Sequence, residues 1–168
     1  RNHTKLYLAN MTDFTEQVKL GMDAAFEQAY MSYKKENGIP IGAALIDNLT
    51  HKIIGVAHNE RIQKNSPTLH GETSCLENCG RLKASVYKNC TLYTTLSPCI
   101  MCTGTVLLYG IKRIVVGEKK TFEGEIELLE KRGGCEVIVT DDKRCIDIMD
   151  EFIKEKPEVW NEDIGEED

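Results

Sequence analysis

No run of about eighteen apolar residues occurs in the sequence, so no segment reads as a membrane-spanning helix. The first residues lack the basic stretch, apolar core and small-residue cleavage site of a secretory signal. A soluble cytoplasmic protein is the expectation, with the nucleus also open to it. A basic excess is missing as well: 21 Lys and Arg stand against 27 Asp and Glu. The last twelve residues hold six of those acids and no Lys or Arg, so the rest of the chain is balanced. Polyanion binding calls for a positive surface that displaces counterions, and this balance argues against nucleic acid as a partner. Disulfide density is lacking too, since seven cysteines are few for 168 residues and an odd number cannot all pair. They are expected to be reduced, and to serve as core residues, metal ligands or nucleophiles. No repeat or low-complexity linker divides the chain. A hydrophobic share of 41% and a charged share of 29% suit one globular domain with a sizeable core.

Residues 1–10 show no apolar period and read as a disordered extension before a single domain over 11–168. Asp13 and Glu16 resemble a capping box, and Phe14, Val18, Met22, Ala25, Ala29 and Tyr33 repeat at helical spacing until Gly38 and Pro40. Residues 41–47 and 52–58 read as a β-hairpin, and 59–69 as a polar loop. A helix capped by Thr68 is expected over about 70–82, a strand over 90–96 and a helix from Ser97-Pro98 to near Gly110. Strands at 112–117 and 135–140 flank a helix at 125–132. A final long helix over 142–155 is stopped by Pro157. An antiparallel hairpin followed by right-handed crossovers gives an α/β fold, with a mixed five-stranded sheet between helices in a three-layer α-β-α sandwich. Sites in such sheets collect beyond the carboxyl ends of the parallel strands.

Two motifs fall there. His70-Gly71-Glu72 opens one helix and Pro98-Cys99-Ile100-Met101-Cys102 another, with 28 residues between His70 and Cys99. Cys99 and Cys102 share a face of a first helical turn, where unpaired N–H groups and the helix dipole favour thiolates. Two thiolates and an imidazole suit zinc, one ion per chain. Three ligands leave a position for water, as in catalytic sites, whereas a structural site needs a fourth. Glu72 is then placed to reach that water. Cys-x-x-Cys alone is shared with redox motifs and structural zinc sites, and His-x-Glu alone is weaker still; together, in this order, they match the signature of zinc deaminases. Cys75 or Cys79 is open as a fourth ligand, although a cysteine one or two turns inside a helix is more often packing.

The chain resembles the fungal-type cytosine deaminases of the cytidine deaminase superfamily from about Val18 to Gly165. Beyond the zinc motifs, the similarity lies in Gly38-Ile39-Pro40-Ile41-Gly42, His58-Asn59, Thr68 to Glu72, Leu76 to Leu82, Thr91 to Cys99, and Trp160-x-Glu162-Asp163-Ile164-Gly165. The resemblance implies the cytidine deaminase-like fold and zinc-dependent hydrolysis of free cytosine to uracil and ammonia in pyrimidine salvage, with 5-substituted cytosines such as 5-fluorocytosine accepted. It also implies a homodimer. Carried over residue by residue, it implies that His70, Cys99 and Cys102 hold zinc and that Glu72 shuttles protons. Asn59 and the Gly71 N–H would grip the pyrimidine edge, Ser97 would supply a carbonyl, Phe122 and Trp160 would wall the ring, and Asp163 would accept from the exocyclic amine. Without the resemblance, Asn59 reads as a turn residue, Phe122 and Trp160 as core aromatics and Asp163 as a solvated tail charge. Ile62 stands where the family pattern has an aromatic near the pocket mouth, and residues 123–134 follow that pattern only loosely.

Three rivals stand beside this reading. A tRNA or DNA deaminase should show a basic face, which the charge balance opposes. A guanine or other purine deaminase differs in pocket size, which spacing does not reveal. A non-catalytic zinc-stabilised binding module would prefer four ligands and has no use for Glu72. Trp160 and Ile164, four apart among the acids of 157–168, would share one face of a short terminal helix. That segment is expected to act as a lid.

Overall fold

A computed structural model of the chain describes residues 2–166, with side chains from Phe14 onward. Helix α1 (Asn2–Tyr30) runs into a π-helical turn at Met31–Lys35. Strands β1 (Gly42–Asp47) and β2 (Ile53–His58) follow, then α2 (Arg61–Lys64), α3 (Gly71–Cys79), α4 (Ala84–Lys88) and β3 (Cys90–Leu96). The second half holds α5 (Ile100–Tyr109), β4 (Arg113–Glu118), α6 (Ile126–Gly133), β5 (Glu136–Val139), α7 (Lys143–Glu155) and α8 (Pro157–Ile164). The strands form one five-stranded sheet in the order β2-β1-β3-β4-β5. Strand β1 is antiparallel to both β2 and β3, while β3, β4 and β5 are parallel.

Both faces of the sheet are covered, which is why β1 and β3 are apolar or buried nearly throughout instead of alternating with charge. The period of two sorts their side chains. Ala43, Leu45, Leu92, Ile114 and Val116 pack with Cys75 and Leu76 of α3, Val106 of α5 and Leu129 of α6. Ala44, Ile46, Tyr93 and Val115 pack with Met22 and Ala25 of α1 and Cys145 of α7. A third cluster joins Tyr33, Ile39, Ile41 and Leu96 to Ile148, Met149 and Phe152 of α7 and to Trp160 of α8. The outcome is the expected three-layer sandwich.

Four local features differ from the sequence expectation, each for a physical reason. Residues 1–10 were expected to lie apart and the helix to start at Asp13. The backbone is helical from Asn2, because no Gly or Pro stands between Asn2 and Gly21 and lengthening an existing helix costs little per residue. The expected 70–82 helix stops at Cys79, since Gly80 takes φ +71°. The Gly80 carbonyl accepts from the Tyr87 hydroxyl at 3.0 Å, and the chain restarts as α4. Within the expected 59–69 loop, α2 makes one turn ended by Asn65 at φ +48°. Thr68 does not cap α3; its carbonyl and that of His70 accept from Thr73 Oγ1.

Because β1 opposes both neighbours, β2, β3 and β4 all run the same way. Their carboxyl ends deliver Asn59, Ser97 and the turn beyond Glu118 to one edge of the sheet.

Candidate active site

His70 and Cys99 occupy the same place on two helices, the residue before the first turn of α3 and of α5, both in extended backbone (ψ 168° and 174°). Each side chain therefore sits where unpaired N–H groups and the positive end of a helix favour anionic partners. Gly71 follows His70 because a Cβ there would come within 2.9 Å of the Ile41 carbonyl. Cys102 lies one turn into α5 and is fully buried. The ligand atoms of His70, Cys99 and Cys102 all lie within 4.8 Å of one another.

A zinc ion with bonds of about 2.3 Å to sulfur and 2.0–2.1 Å to nitrogen at tetrahedral angles sets S and N roughly 3.6 Å apart. His70 Nδ1 and Cys99 Sγ are separated by 3.5 Å. The trio fits zinc on this measure and on its donor chemistry. Cys75 and Cys79 are not part of that group among the described residues, and the Cys75 thiol donates instead to the Gly55 carbonyl at 3.4 Å. Three ligands thus converge without a fourth, which suits an ion with an open position. The Cys102 thiol hydrogen-bonds Cys99 and, helped by the His70 ring against the cost of burial, pushes the Cys99 pKa down to about 4. Cys102 itself, donating to that thiolate and buried, is pushed well up. Burial pulls His70 down, but the Cys99 hydrogen bond and the charge of Asp163 outweigh it and leave the ring raised.

Glu72 is 3% exposed and projects from the first turn of α3 beneath the trio. Its Oε1 accepts from Thr94 Oγ1 at 3.1 Å across from β3. Burial first, then the neighbouring Cys99 thiolate, push its pKa up. A carboxyl whose protonated form is favoured more than usual, at the foot of a helix beside the trio, is of the kind that general acid–base chemistry uses.

A small cavity is lined by His70, Glu72, Ser97, Cys99, Phe122, Trp160 and Asp163, with Ile41, Leu96 and Ile164. The space open to the centre of a water-sized sphere is about 20 Å³, little more than one such sphere. Phe122 and Trp160 meet edge to face, with ring centroids 6.2 Å apart and planes at 87°. The turn bearing Phe122 lies tight over Ser97. Gly124, at φ +62°, leaves no room for a Cβ, which would fall 2.4 Å from Ser97 Oγ, and Ser97 Oγ donates to the Glu123 carbonyl at 2.6 Å.

Asn59 is fully buried one step behind the cavity wall. Its Nδ2 donates to Asp163 Oδ1 at 2.8 Å, and its Oδ1 accepts from the Arg61 backbone N–H at 3.0 Å. Asp163 is 7% exposed on α8, far from a solvated tail charge, and His70 Nε2 stands 3.7 Å from its Oδ1. Of the residues singled out by sequence, seven meet around the cavity, while Asn59, Gly71 and Cys102 stand just behind it. Ile62, suspected at the mouth, is 44% exposed and does not line it. Sequence reasoning missed Thr94, Ile41, Leu96 and Arg61. The alternation along β3 that puts Thr94 on the face of Leu92, toward α3, was the available signal for the first.

The pattern for the cytidine and deoxycytidylate deaminase zinc-binding region matches residues 15–118. A cytosine deaminase of Candida albicans is 56% identical over 148 residues, spanning 88% of this chain and 97% of that protein. A tRNA-specific adenosine deaminase of Buchnera aphidicola is 44% identical over 98 residues, 57% of this chain and 62% of that one. Among solved structures, a guanine deaminase from Nitrosomonas europaea superposes with TM-score 0.65 at 20% identity, over 78% of this chain and 81% of its own. At that identity the likeness is one of fold.

Proposed function

The chain belongs to the cytidine and deoxycytidylate deaminase family and is a zinc-dependent hydrolytic deaminase of free cytosine; from that premise we propose how its residues divide the reaction. The observation that supports the reading is the small cavity in which a buried carboxyl, a His-Cys-Cys trio and side chains of α8 meet. His70, Cys99 and Cys102 hold zinc, which when bound lowers the pKa of water to about 7 and so supplies a nucleophile for C4. Glu72 takes the first proton of that water and passes it to ring N3, then carries the second, from the oxygen now bonded to C4, to the amine, so that the C4–N bond breaks as the C4 carbonyl forms and ammonia leaves. One carboxyl serves both transfers, so no second general acid is required. Thr94 orients it by donating to Oε1.

Asp163 accepts from the exocyclic amine through Oδ2, since its Oδ1 is already engaged by Asn59. The Asn59 side chain, the Gly71 N–H and the Ser97 carbonyl fix the rest of the pyrimidine edge. Phe122 and Trp160 enclose the ring and exclude water, which strengthens every charged contact inside. Free cytosine is preferred to cytidine on this reading, because Trp160 and Ile164 of α8 close over the side of the cavity that a ribose would have to pass. Ammonia release from the zinc-loaded protein with cytosine, cytidine, guanine and adenine tests this: turnover of cytosine alone is expected, and faster turnover of guanine would overturn it.

The assembly we propose is a homodimer through α5. Ile100 and Leu108 are 61% and 76% exposed, and Tyr109 beside them is 38% exposed, an apolar strip more extensive than a lone soluble helix usually presents. Light scattering should give twice the chain's 19.0 kDa, and Leu108→Glu should return the single-chain mass. All seven cysteines are free thiols, which suits a reducing compartment such as the cytoplasm. Among the described residues no helix is long and apolar enough to cross a membrane.

A further inference from the structure

Arg61, the first residue of α2, lies outside the cavity, yet its guanidinium is drawn inward, with the side chain 14% exposed. Nη1 donates to Asp163 Oδ1 at 3.3 Å and Nη2 to Glu162 Oε1 at 3.2 Å, so one planar group grips two successive residues of α8. The two contacts differ in weight. Glu162 is half exposed and its pairing is screened by water and salt, whereas the Asp163 side chain is 2% exposed and keeps its interaction. Nε is buried without a partner, a cost the fold bears only where the rest of the group is held.

We propose that Arg61 is a positioning residue, the latch that keeps α8 docked and sets the carboxylate of Asp163. Three features support it. Arg61 and Asn59 together occupy Oδ1 of Asp163, which turns the lone pairs of Oδ2 toward the cavity and a donor there. Arg61 also donates its backbone N–H to Asn59 Oδ1, so the same residue holds both partners of the Asn59–Asp163 hydrogen bond. A lysine ammonium, lacking the planar fork, cannot grip Asp163 and Glu162 in this parallel fashion. The inference rests on the reading that Asp163 receives the substrate amine.

The chain's single Trp is Trp160, itself on α8 and 7% exposed, so its fluorescence reports docking directly. Zinc-loaded Arg61→Gln is expected to keep full zinc, raise the KM for cytosine about 10- to 100-fold as a charged hydrogen bond is lost, and lower kcat far less. Acrylamide quenching of Trp160 should rise in the same variant, and Arg61→Lys should fall between it and the wild type on both measures. A stability defect alone would move neither KM nor quenching in the folded protein. Unchanged quenching in Arg61→Gln overturns the latch, and so does an unchanged KM. Should that variant fail to fold, Arg61→Lys carries the same test. Asp163→Asn separates the two readings: if it leaves KM untouched while Arg61→Gln still exposes Trp160, the amine assignment fails and the grip on α8 stands.

Discussion

Replacement of Trp160 by alanine should detach α8 without unfolding the rest. Truncating a buried Trp in a packed site costs about 3–5 kcal/mol, of which roughly 0.5–1.5 kcal/mol is the edge-to-face pairing with Phe122. Against this, the charged hydrogen bond from Arg61 to Asp163 contributes about 1.5–3 kcal/mol to the same docking. The loss outweighs that contact, so an eight-residue terminal helix left with Val159, Ile164 and the hydrogen bonds to Asp163 should open before the core does. Tyr33, Ile39, Ile148, Met149 and Phe152 still bury one another beneath it, and the zinc trio stands on α3 and α5. Amide hydrogen exchange over 157–164 should accelerate by roughly 10²- to 10⁴-fold, while exchange in β3 and β4 and the bound zinc stay as in the wild type. Cytosine turnover should collapse and discrimination against cytidine should weaken, because α8 no longer closes over the side that a ribose would have to pass. Wild-type exchange over 157–164 together with undiminished activity would show that α8 is neither fastened by Trp160 nor a lid, and deletion of 158–168 offers the same comparison.

Elemental analysis should find no zinc in Cys99→Ala or Cys102→Ala and full zinc in Cys75→Ala and Cys79→Ala; zinc retained in Cys99→Ala would remove the assigned ligand set. Glu72→Gln should bind zinc normally, since the amide can still accept from Thr94, yet lose more than the roughly 10²- to 10⁴-fold of an ordinary general base because two transfers depend on it. Near-normal ammonia release by that variant would refute the shuttle. Asp142 caps α7 by accepting from the Arg144 N–H at 3.0 Å, and the Arg144 guanidinium holds its pKa below the usual carboxylate value. Such a group stabilises the fold above its unfolded pKa of 3.8, and the contribution fades as pH falls through the lower folded value. Asp142→Ala should therefore cost about 0.5–2 kcal/mol at pH 7. The gap in Tm should close below about pH 4, and a gap independent of pH would assign the effect to packing.

What the sequence made legible was whatever repeats locally. The strand pattern at 90–96 and the helix start at Ser97-Pro98 placed Cys99 at the head of α5, and Trp160 and Ile164 at a spacing of four marked α8. The stop at Gly80 escaped because a glycine in a polar stretch continues a helix as readily on paper as it ends one, and only its positive φ decides. Arg61 escaped for a different reason. Its partners lie more than a hundred residues away, and no periodicity connects α2 to α8. Thr94 lies within the stretch from Thr91 to Cys99 but acquires meaning only when β3 is laid beside α3.

The stretch matched by the family pattern ends at residue 118, while Phe122, Trp160, Asp163 and Ile164, four of the ten residues that line the cavity, lie beyond it. His70, Glu72, Cys99 and Cys102 thus lie inside the stretch shared across the family, and the terminal helix over them lies outside it. The terminal helix packs on that stretch through Val159, Trp160 and Ile164, and its polar contacts with it run chiefly from Arg61 and Asn59 to Asp163. Descendants of such a chain are free to exchange the terminal segment for another and acquire a different appetite, provided the replacement offers those two residues a carboxylate to hold.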